Sequence, residues 1–586
     1  NPIFKLSRVQ ILWDDEVLEV EANGHVNSRV CLIATTGIYI IQKKAFPHPA
    51  KITNFMPYTD ISSIAVIKNR AIFTSCRTEI QIKHLNVSPF AFIAYCIREA
   101  QFPISILPLK MDFPNDDQFS LINESSPYQP SSIFMDRLIS CALHLKIDVT
   151  PLLLKTIQNE LVIVDSTFKI TVNITQSPLF PAVMLSLPYD LDLKKIVIDS
   201  CQLSIVFARF DELFLRSKAI QEILFINCDF SGCLTHFRRL SAINKPFQPS
   251  KWVFKQITVN DAFISFFEAL DSLSSDIQSL SFQECHFSAE SMPAIFQSIF
   301  FNSCFHHLES FSFDKIPDYF DLPLQIASLT CCNWVMQSKC LHYISMSFCG
   351  LNADTTIPQL MNFDTGLQVL KIAGCKFLSP LVFKTPPVLN HITHLDLHES
   401  IFTAESLLSL FTVVQNKTFI IDEINLSGIK FENPEQSSVF YSKIVGMKIE
   451  SLTTLIYNNN HMNELEATQF ASFLSLQSNL RYLSVNNSIL TNQSMNGARH
   501  FLDALENLNL TCLSIRSDKS SDFSFGRLLI NEFPKLFIKG IIKHLDLTGQ
   551  LLNDEGLEAL EPFLSEISGS KLDYLYIDGT GASYRR

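Results

Sequence analysis

The sequence predicts an α/β fold built from one repeated strand–helix unit, with a small antiparallel β domain in front of it. Three observations carry this expectation. A nine-residue phrase recurs from residue 193 onward. Stretches with helical spacing follow its copies. The first hundred or so residues lack the phrase and alternate instead in β-branched residues bounded by turn signals. Composition permits such a molecule: 586 residues, 47% hydrophobic, with 49 Phe, can bury a large core and do not describe a disordered chain. Glycine is scarce, at 16 residues, which argues against glycine-rich nucleotide-binding loops.

Residues 1–105 come first. VLEVEAN (17–23), SRVCLIATT (28–36), GIYIIQKK (37–44), ISSIAVIKN (61–69), AIFTSC (71–76) and EIQIKHL (79–85) read as short strands. SPFAFIAYCIREAQF (88–102) reads as an amphipathic helix with Ser88 as its N-cap. Antiparallel strands closed by one C-terminal helix are similar to the layout of a pleckstrin-homology (PH) domain, a small β-barrel. This part is mildly basic: residues 1–102 hold 11 Lys+Arg against 8 Asp+Glu, or +3. The formal charge of the whole chain is −12, so the remainder carries −15.

Residues 106–130 are rich in Pro, Asp, Asn and Ser and predict a linker. Over 131–192 the spacing predicts two helices, SIFMDRLISCALHL (132–145) and DVTPLLLKTIQNEL (148–161). LVIVDSTFKITVNI (161–174) then reads as two strands. A repeat array needs its open end covered, and this segment is placed to cap it.

Residues 193–586 hold the repeats. LKKIVIDSC (193–201), IQEILFINC (220–228), FKQITVNDA (254–262), IQSLSFQEC (277–285) and LESFSFDKI (308–316) open the series. IASLTCCNW (326–334) is a degenerate copy, and LHYISMSFC (341–349) and LQVLKIAGC (367–375) follow. Seven more copies run to LDYLYIDGT (572–580), fifteen in all. The step averages about 27 residues and the pattern matches L-x-x-L-x-L-x-x-N/C-x-L, the leucine-rich-repeat signature. The expected architecture is a helix-backed solenoid, a horseshoe of about fifteen repeats. In each copy positions 4 and 6 alternate inward on a short strand. AESLLSLFTVV (404–414), EATQFASFLSL (466–476) and DEGLEALEPFLSEI (554–567) supply helices. Position 9 wants a small side chain able to bond loop backbone. Cys201, Cys228, Cys285, Cys349 and Cys375 hold it early; Asn460, Ser488, Asp518, Gln550 and Thr580 hold it later. The five thiols should therefore be buried and reduced.

A PH-like module, a helical cap and a long leucine-rich-repeat array in that order resemble the amino-terminal portion of the CARMIL family, cytoskeletal scaffolds that regulate actin capping protein. The resemblance implies a non-enzymatic scaffold that is cytoplasmic, peripheral at the plasma membrane, engages actin-regulatory machinery and pairs as a homodimer through its repeats. The family's capping-protein motif lies in a tail beyond the repeats and has no counterpart here. Two other readings compete: a generic leucine-rich-repeat recognition protein with an unrelated protein ligand, and a GTPase-activating protein of the Ran type.

Candidate site residues follow from these classes. Arg29, Lys43, Lys44 and Lys51 are the basic residues of the first module placed to meet an anionic membrane, weakly and without headgroup specificity. Outward strand positions of the repeats offer Tyr343, Tyr482, His544, Tyr574 and Tyr576 for a partner or a dimer contact. No catalytic motif is present: neither G-x-x-x-x-G-K-[ST], nor G-x-S-x-G, nor H-E-x-x-H occurs. Cys331, Cys332, Cys340 and His342 cluster in sequence, but adjacent cysteines suit one tetrahedral ion poorly, so no metal and no cofactor are expected. The acidic balance does not suggest nucleic-acid binding.

Overall fold

A computed structural model describes residues 9–581, apart from 45–47, 104–109, 113–132, 161–165, 212, 214–216, 218, 242–248, 273–275, 289, 317–339, 352, 362–365, 383–389, 416–418, 492–494, 519–520, 538–540 and 565–571. The chain divides into two units, one of residues 1–253 and 265–275, the other of 254–264 and 276–586.

The first unit opens with an eight-stranded sheet. Its strands are β1 (Ile11–Val20), β2 (Val26–Ala34), β3 (Gly37–Gln42), β4 (Lys51–Pro57), β5 (Ser63–Ile67), β6 (Arg70–Thr74), β7 (Glu79–Lys83) and β8 (Lys110–Asp112). The order is β4-β3-β2-β1-β7-β6-β5-β8, with β4 and β8 at its ends. Neighbours pair antiparallel except β5 with β8, which are parallel; β8 lies in the segment expected as a linker. Helix α1 (Val87–Gln101) covers one face, with Phe90 against Trp13 at 4.8 Å and Phe73 at 5.9 Å. Its N-cap is Asn86 rather than Ser88, so the helix starts a residue before the expected cap.

Helix α2 (Ile133–His144) packs on this module through a buried polar joint. Ser140 donates to the Thr36 carbonyl at 3.0 Å, and the Gln101 amide donates to the Thr35 carbonyl at 2.6 Å. The Arg137 guanidinium donates to the Gln101 carbonyl and reaches Ser186 at 3.4 Å. Helix α3 (Pro151–Glu160) follows. Of the two strands expected over 161–174, the start lies outside the described residues; β9 (Thr167–Ile170) is described, and the short helix α4 (Val172–Gln176) stands where the expected strand would continue. Thr171 caps that helix, and the cap ends the strand.

From β9 the strands run parallel. In the first unit β9 pairs with β10 (Lys195–Asp199), and β10 with β11 (Glu222–Ile226). A further strand, β12, spans Lys251–Lys255. In the second unit successive parallel strands run from Ser279–Gln283 and Ser310–Asp314 through Tyr343–Ser345 and onward to His544–Asp546 and Tyr574–Tyr576. Helices sit between them where the spacing predicts, at Ala404–Gln415, Glu464–Leu474 and Asn553–Leu564. This is a leucine-rich-repeat arrangement. The degenerate copy at 326–334, with Cys331 and Cys332, lies outside the described residues, and Ser310–Asp314 pairs directly with Tyr343–Ser345, so the repeat expected between them does not stand there in the sheet.

One repeat shifts. The strand expected at 254–262 begins five residues earlier, so the phrase is PSKWVFKQI, 249–257. Trp252 and Phe254 are its inward pair, both essentially inaccessible. The apolar spacing at 254–262 arises because Val259 belongs to a second, minor parallel pairing of Thr258–Val259 with His286–Phe287. The abundant Phe fills the interior in layers. Phe254 stacks on Phe282 at 5.4 Å, and Phe377 on Phe402 at 4.5 Å.

Candidate functional site

The phrase has a fixed three-dimensional grammar. Positions 4 and 6 are buried, as in Ile344 and Met346 or Leu483 and Val485. Position 8 turns the chain through a left-handed backbone. Ser200, Asn227, Gln256, Glu284, Lys315, Phe348, Glu399, Asn459 and Asn487 adopt it with φ between 47° and 57°. Gly374, Gly428, Gly549 and Gly579 adopt it without a Cβ to strain. In the early repeats this turn has no sequence signature, because their position 8 is a different residue each time.

Position 9 then bonds backwards. Cys228 Sγ donates to the Ile198 carbonyl at 3.2 Å and Cys285 Sγ to that of Phe254 at 3.3 Å. Cys349 reaches Phe313 at 2.7 Å, and Cys375 reaches Met346 at 3.6 Å. Ser400, Asn460, Ser488 and Gln550 make the same contact at 3.2, 3.0, 2.6 and 2.6 Å. The acceptor in each case is the position-6 carbonyl of the preceding repeat. All five predicted thiols are free and buried. Burial pushes Cys201, Cys285 and Cys375 up to about 11 and Cys228 up to about 12, and drives Cys349 well above the ordinary thiol range. They stay protonated donors, the opposite of nucleophiles or metal ligands. Asp518 departs from the expectation. It is exposed, and its neighbour Ser517 is buried instead.

A second ladder, not anticipated from sequence, runs along positions 5 and 7. Asn458 Oδ1 accepts from Ser484 Oγ at 2.8 Å and from the Asn486 N–H at 2.7 Å. Asn486 Oδ1 accepts from Ser514 Oγ at 2.9 Å and from the Arg516 N–H at 2.6 Å. Asp314 Oδ1 does the same with Ser345 Oγ and the Ser347 N–H, at 2.6 and 2.8 Å. Serine at position 5 with Asn or Asp at position 7 of the repeat before was the available signal. At these junctions the polar groups are spent on joining repeats, which leaves position 3 as the outward column there.

That column is where most of the predicted interaction residues fall. Tyr343 is half-buried, with the Lys371 ammonium 5.6 Å from its ring centre. His394 Nε2 lies 3.1 Å from Glu423, and His398 Nδ1 lies 2.8 Å from Asp396. Tyr482 is half-buried, and burial raises its hydroxyl above the usual range. His544 stacks on Tyr574 at 4.6 Å with planes 23° apart. Tyr574 and Tyr576 are the most open of the set, 54% and 48% exposed. Tyr576, at position 5, opposes Asp546, which is held by Arg516. Tyr343 and Tyr482 stand in separate repeats from this His544–Tyr574–Tyr576 cluster.

The first module disposes of its predicted cations unevenly. Arg29 is bound by Glu19 at 3.1 Å, both well shielded, and Lys43 is paired with Glu16. Lys44 and Lys51 are exposed. Among the described residues one group could bring three carboxylates together, Asp503, Glu506 and Glu532, within 4.8 Å. Asp503 and Glu506 are exposed and Glu532 is half-buried; such acidic groups are common without an ion. No helix is long and apolar enough to cross a membrane among the described residues.

No protein-family model and no curated protein matches the chain in sequence. Solved structures do match. The mouse RP105/MD-1 complex aligns at a TM-score of 0.32 and 12% identity, over 66% of this chain and 63% of that one. The TLR13–ssRNA13 complex aligns at 0.31 and 13% identity, over 68% of this chain and 62% of that one. The chain thus spans less than two thirds of either structure's length.

Proposed function

We propose that this chain is a non-enzymatic protein-binding scaffold whose recognition surface is the outward face of its parallel strands. The observation that supports the reading is the division of labour within the phrase. At the Asp314–Ser345, Asn458–Ser484 and Asn486–Ser514 junctions positions 5 and 7 are committed to holding repeats together, while position 3 presents Tyr343, Tyr482, His544 and Tyr574 along the strands. Exposed tyrosines fixed by neighbouring strands lose little entropy on binding, which favours them as anchors.

Within that reading, residues 1–105 act as a PH-like module, 131–192 as a cap and 193–586 as the repeat array. The scaffold is CARMIL-like: it works in the cytoplasm, peripherally at the plasma membrane, supports actin assembly there, and pairs with a second copy through its repeats. The first module contributes weak attraction to anionic lipid. Light scattering on the chain should give twice the monomer mass at micromolar concentration, and Y574A/Y576A should shift it toward monomer. In cells, a fluorescent fusion should follow membrane-apposed actin. A monomeric protein spread evenly through the cytosol would sink the CARMIL-like reading and leave a repeat scaffold with an unrelated ligand.

A further inference from the structure

Two of the four cations chosen from sequence, Arg29 and Lys43, are engaged by carboxylates. A different surface of the first module combines unpaired basic residues with exposed apolar ones. Register places it. Ile67 opposes Arg70 across β5 and β6, Arg70 opposes Lys83 across β6 and β7, and Lys83 opposes Leu18 across β7 and β1. Directly opposed residues share a face, so these four form one cross-strand row. Their immediate chain neighbours Val66, Ala71, Ile82 and Glu19 point the other way and are buried. Helix α1 packs on that buried side.

The outer row is unusually apolar for a solvent face. Ile67 is 52% and Leu18 46% exposed, and Leu85, two residues beyond Lys83, is 91% exposed. Lys68 sits at the tip of the β5–β6 hairpin in a left-handed turn, φ 57°. Among the described residues no carboxylate pairs with Lys68, Arg70 or Lys83. Arg70 donates only to the neutral Gln81 amide at 3.2 Å. Of the nearby carboxylates Asp15 pairs with His84 at 3.2 Å, Glu19 with Arg29 and Glu16 with Lys43, while Asp14 on β1 and Glu79 on β7 are exposed, Glu79 accepting from the Gln81 amide.

We infer that Leu18, Ile67, Lys68, Arg70, Lys83 and Leu85 form an anionic-membrane docking face. Three uncompensated cations suit a negatively charged leaflet. Exposed aliphatic side chains beside them suit the acyl boundary, where a soluble phosphate would give them nothing to bury against. The inference rests on the membrane contact proposed above but assigns it to a surface other than Lys44 and Lys51.

The test is flotation of the 586-residue chain with vesicles of phosphatidylcholine and phosphatidylserine, using pure phosphatidylcholine as the control. Each basic residue near the leaflet multiplies partitioning about fivefold, so R70Q/K83Q should lower it roughly 25-fold, while K44Q/K51Q leaves it within about twofold. I67S/L85S should lower binding and make what remains more sensitive to salt. R70K/K83R, which keeps the charge, should bind as the parent does. Loss of binding in K44Q/K51Q with retention in R70Q/K83Q would overturn this surface and leave the membrane reading standing. Failure of the parent chain to float with the anionic vesicles would overturn both.

Discussion

The two ends of the repeat array solve one problem with different atoms. In the early repeats a thiol at position 9 reaches back to the preceding strand; Cys228 and Cys285 do so at 3.2 and 3.3 Å. In the later repeats an amide or hydroxyl does it; Asn460, Ser488 and Gln550 do so at 3.0, 2.6 and 2.6 Å. The amides add a second bond. Asn460 Oδ1 accepts from the Ile429 N–H at 3.0 Å, and Gln550 Oε1 from the Phe525 N–H at 2.8 Å. A thiol is a weak donor that behaves as a small hydrophobe, so the early end relies on packing, with its Phe and Trp stacks. The later end relies on hydrogen bonding. Where the slot is polar it holds a donor of the right reach rather than cysteine in particular, and at Ile257, Ile316 and Ile429 a buried apolar side chain fills it instead.

The largest effect should come from breaking the amide end. Gln550 is fully buried, and Q550L leaves the Ile515 carbonyl and the Phe525 N–H without partners. Each orphaned buried group costs about 1–3 kcal/mol, so urea denaturation should show a loss of about 2–6 kcal/mol. A change within experimental error would mean that the slot tolerates an apolar filler.

G374A should come next, near about 2 kcal/mol, since a Cβ disfavours the left-handed turn. The added Cβ would also meet the Phe348 ring at 2.2 Å. F348A in the same chain should recover the steric part and not the backbone part. Full recovery would show that the turn itself is unstrained.

The smallest effect belongs to the thiol end. C285A should cost about 1 kcal/mol and C285S less, because serine restores the donor. In the folded chain, iodoacetamide at neutral pH should modify exposed Cys76 and Cys340 and spare Cys201, Cys285 and Cys375 until denaturant is added. Alkaline titration sharpens the same point. Burial raises Cys285 from 9.0 to about 11, so its neutral form is favoured by folding; that contribution is complete below pH 9 and lost as pH rises through 11. Stability that stays flat over that window would contradict the buried ladder.

The sequence alone determined the repeat, its period and the chemistry of position 9. Inward Leu, Ile and Phe at positions 4 and 6 have no alternative to burial, and a cysteine, serine or amide in the ninth slot has one backbone carbonyl within reach. It also placed helices at 404–414, 466–476 and 554–567, where the structure has Ala404–Gln415, Glu464–Leu474 and Asn553–Leu564. Only tertiary structure decided the rest. Phe254 and Ile257 fit two registers of the phrase, and pairing in the minor sheet chose between them. The left-handed turn at Ser200 or Lys315 has no local signature, since it is imposed by the neighbouring repeats. Charge on the first module was legible, but which charges remained was not. Whether Arg29 or Arg70 faces a carboxylate depends on strand register, and a one-residue change in register reverses every face.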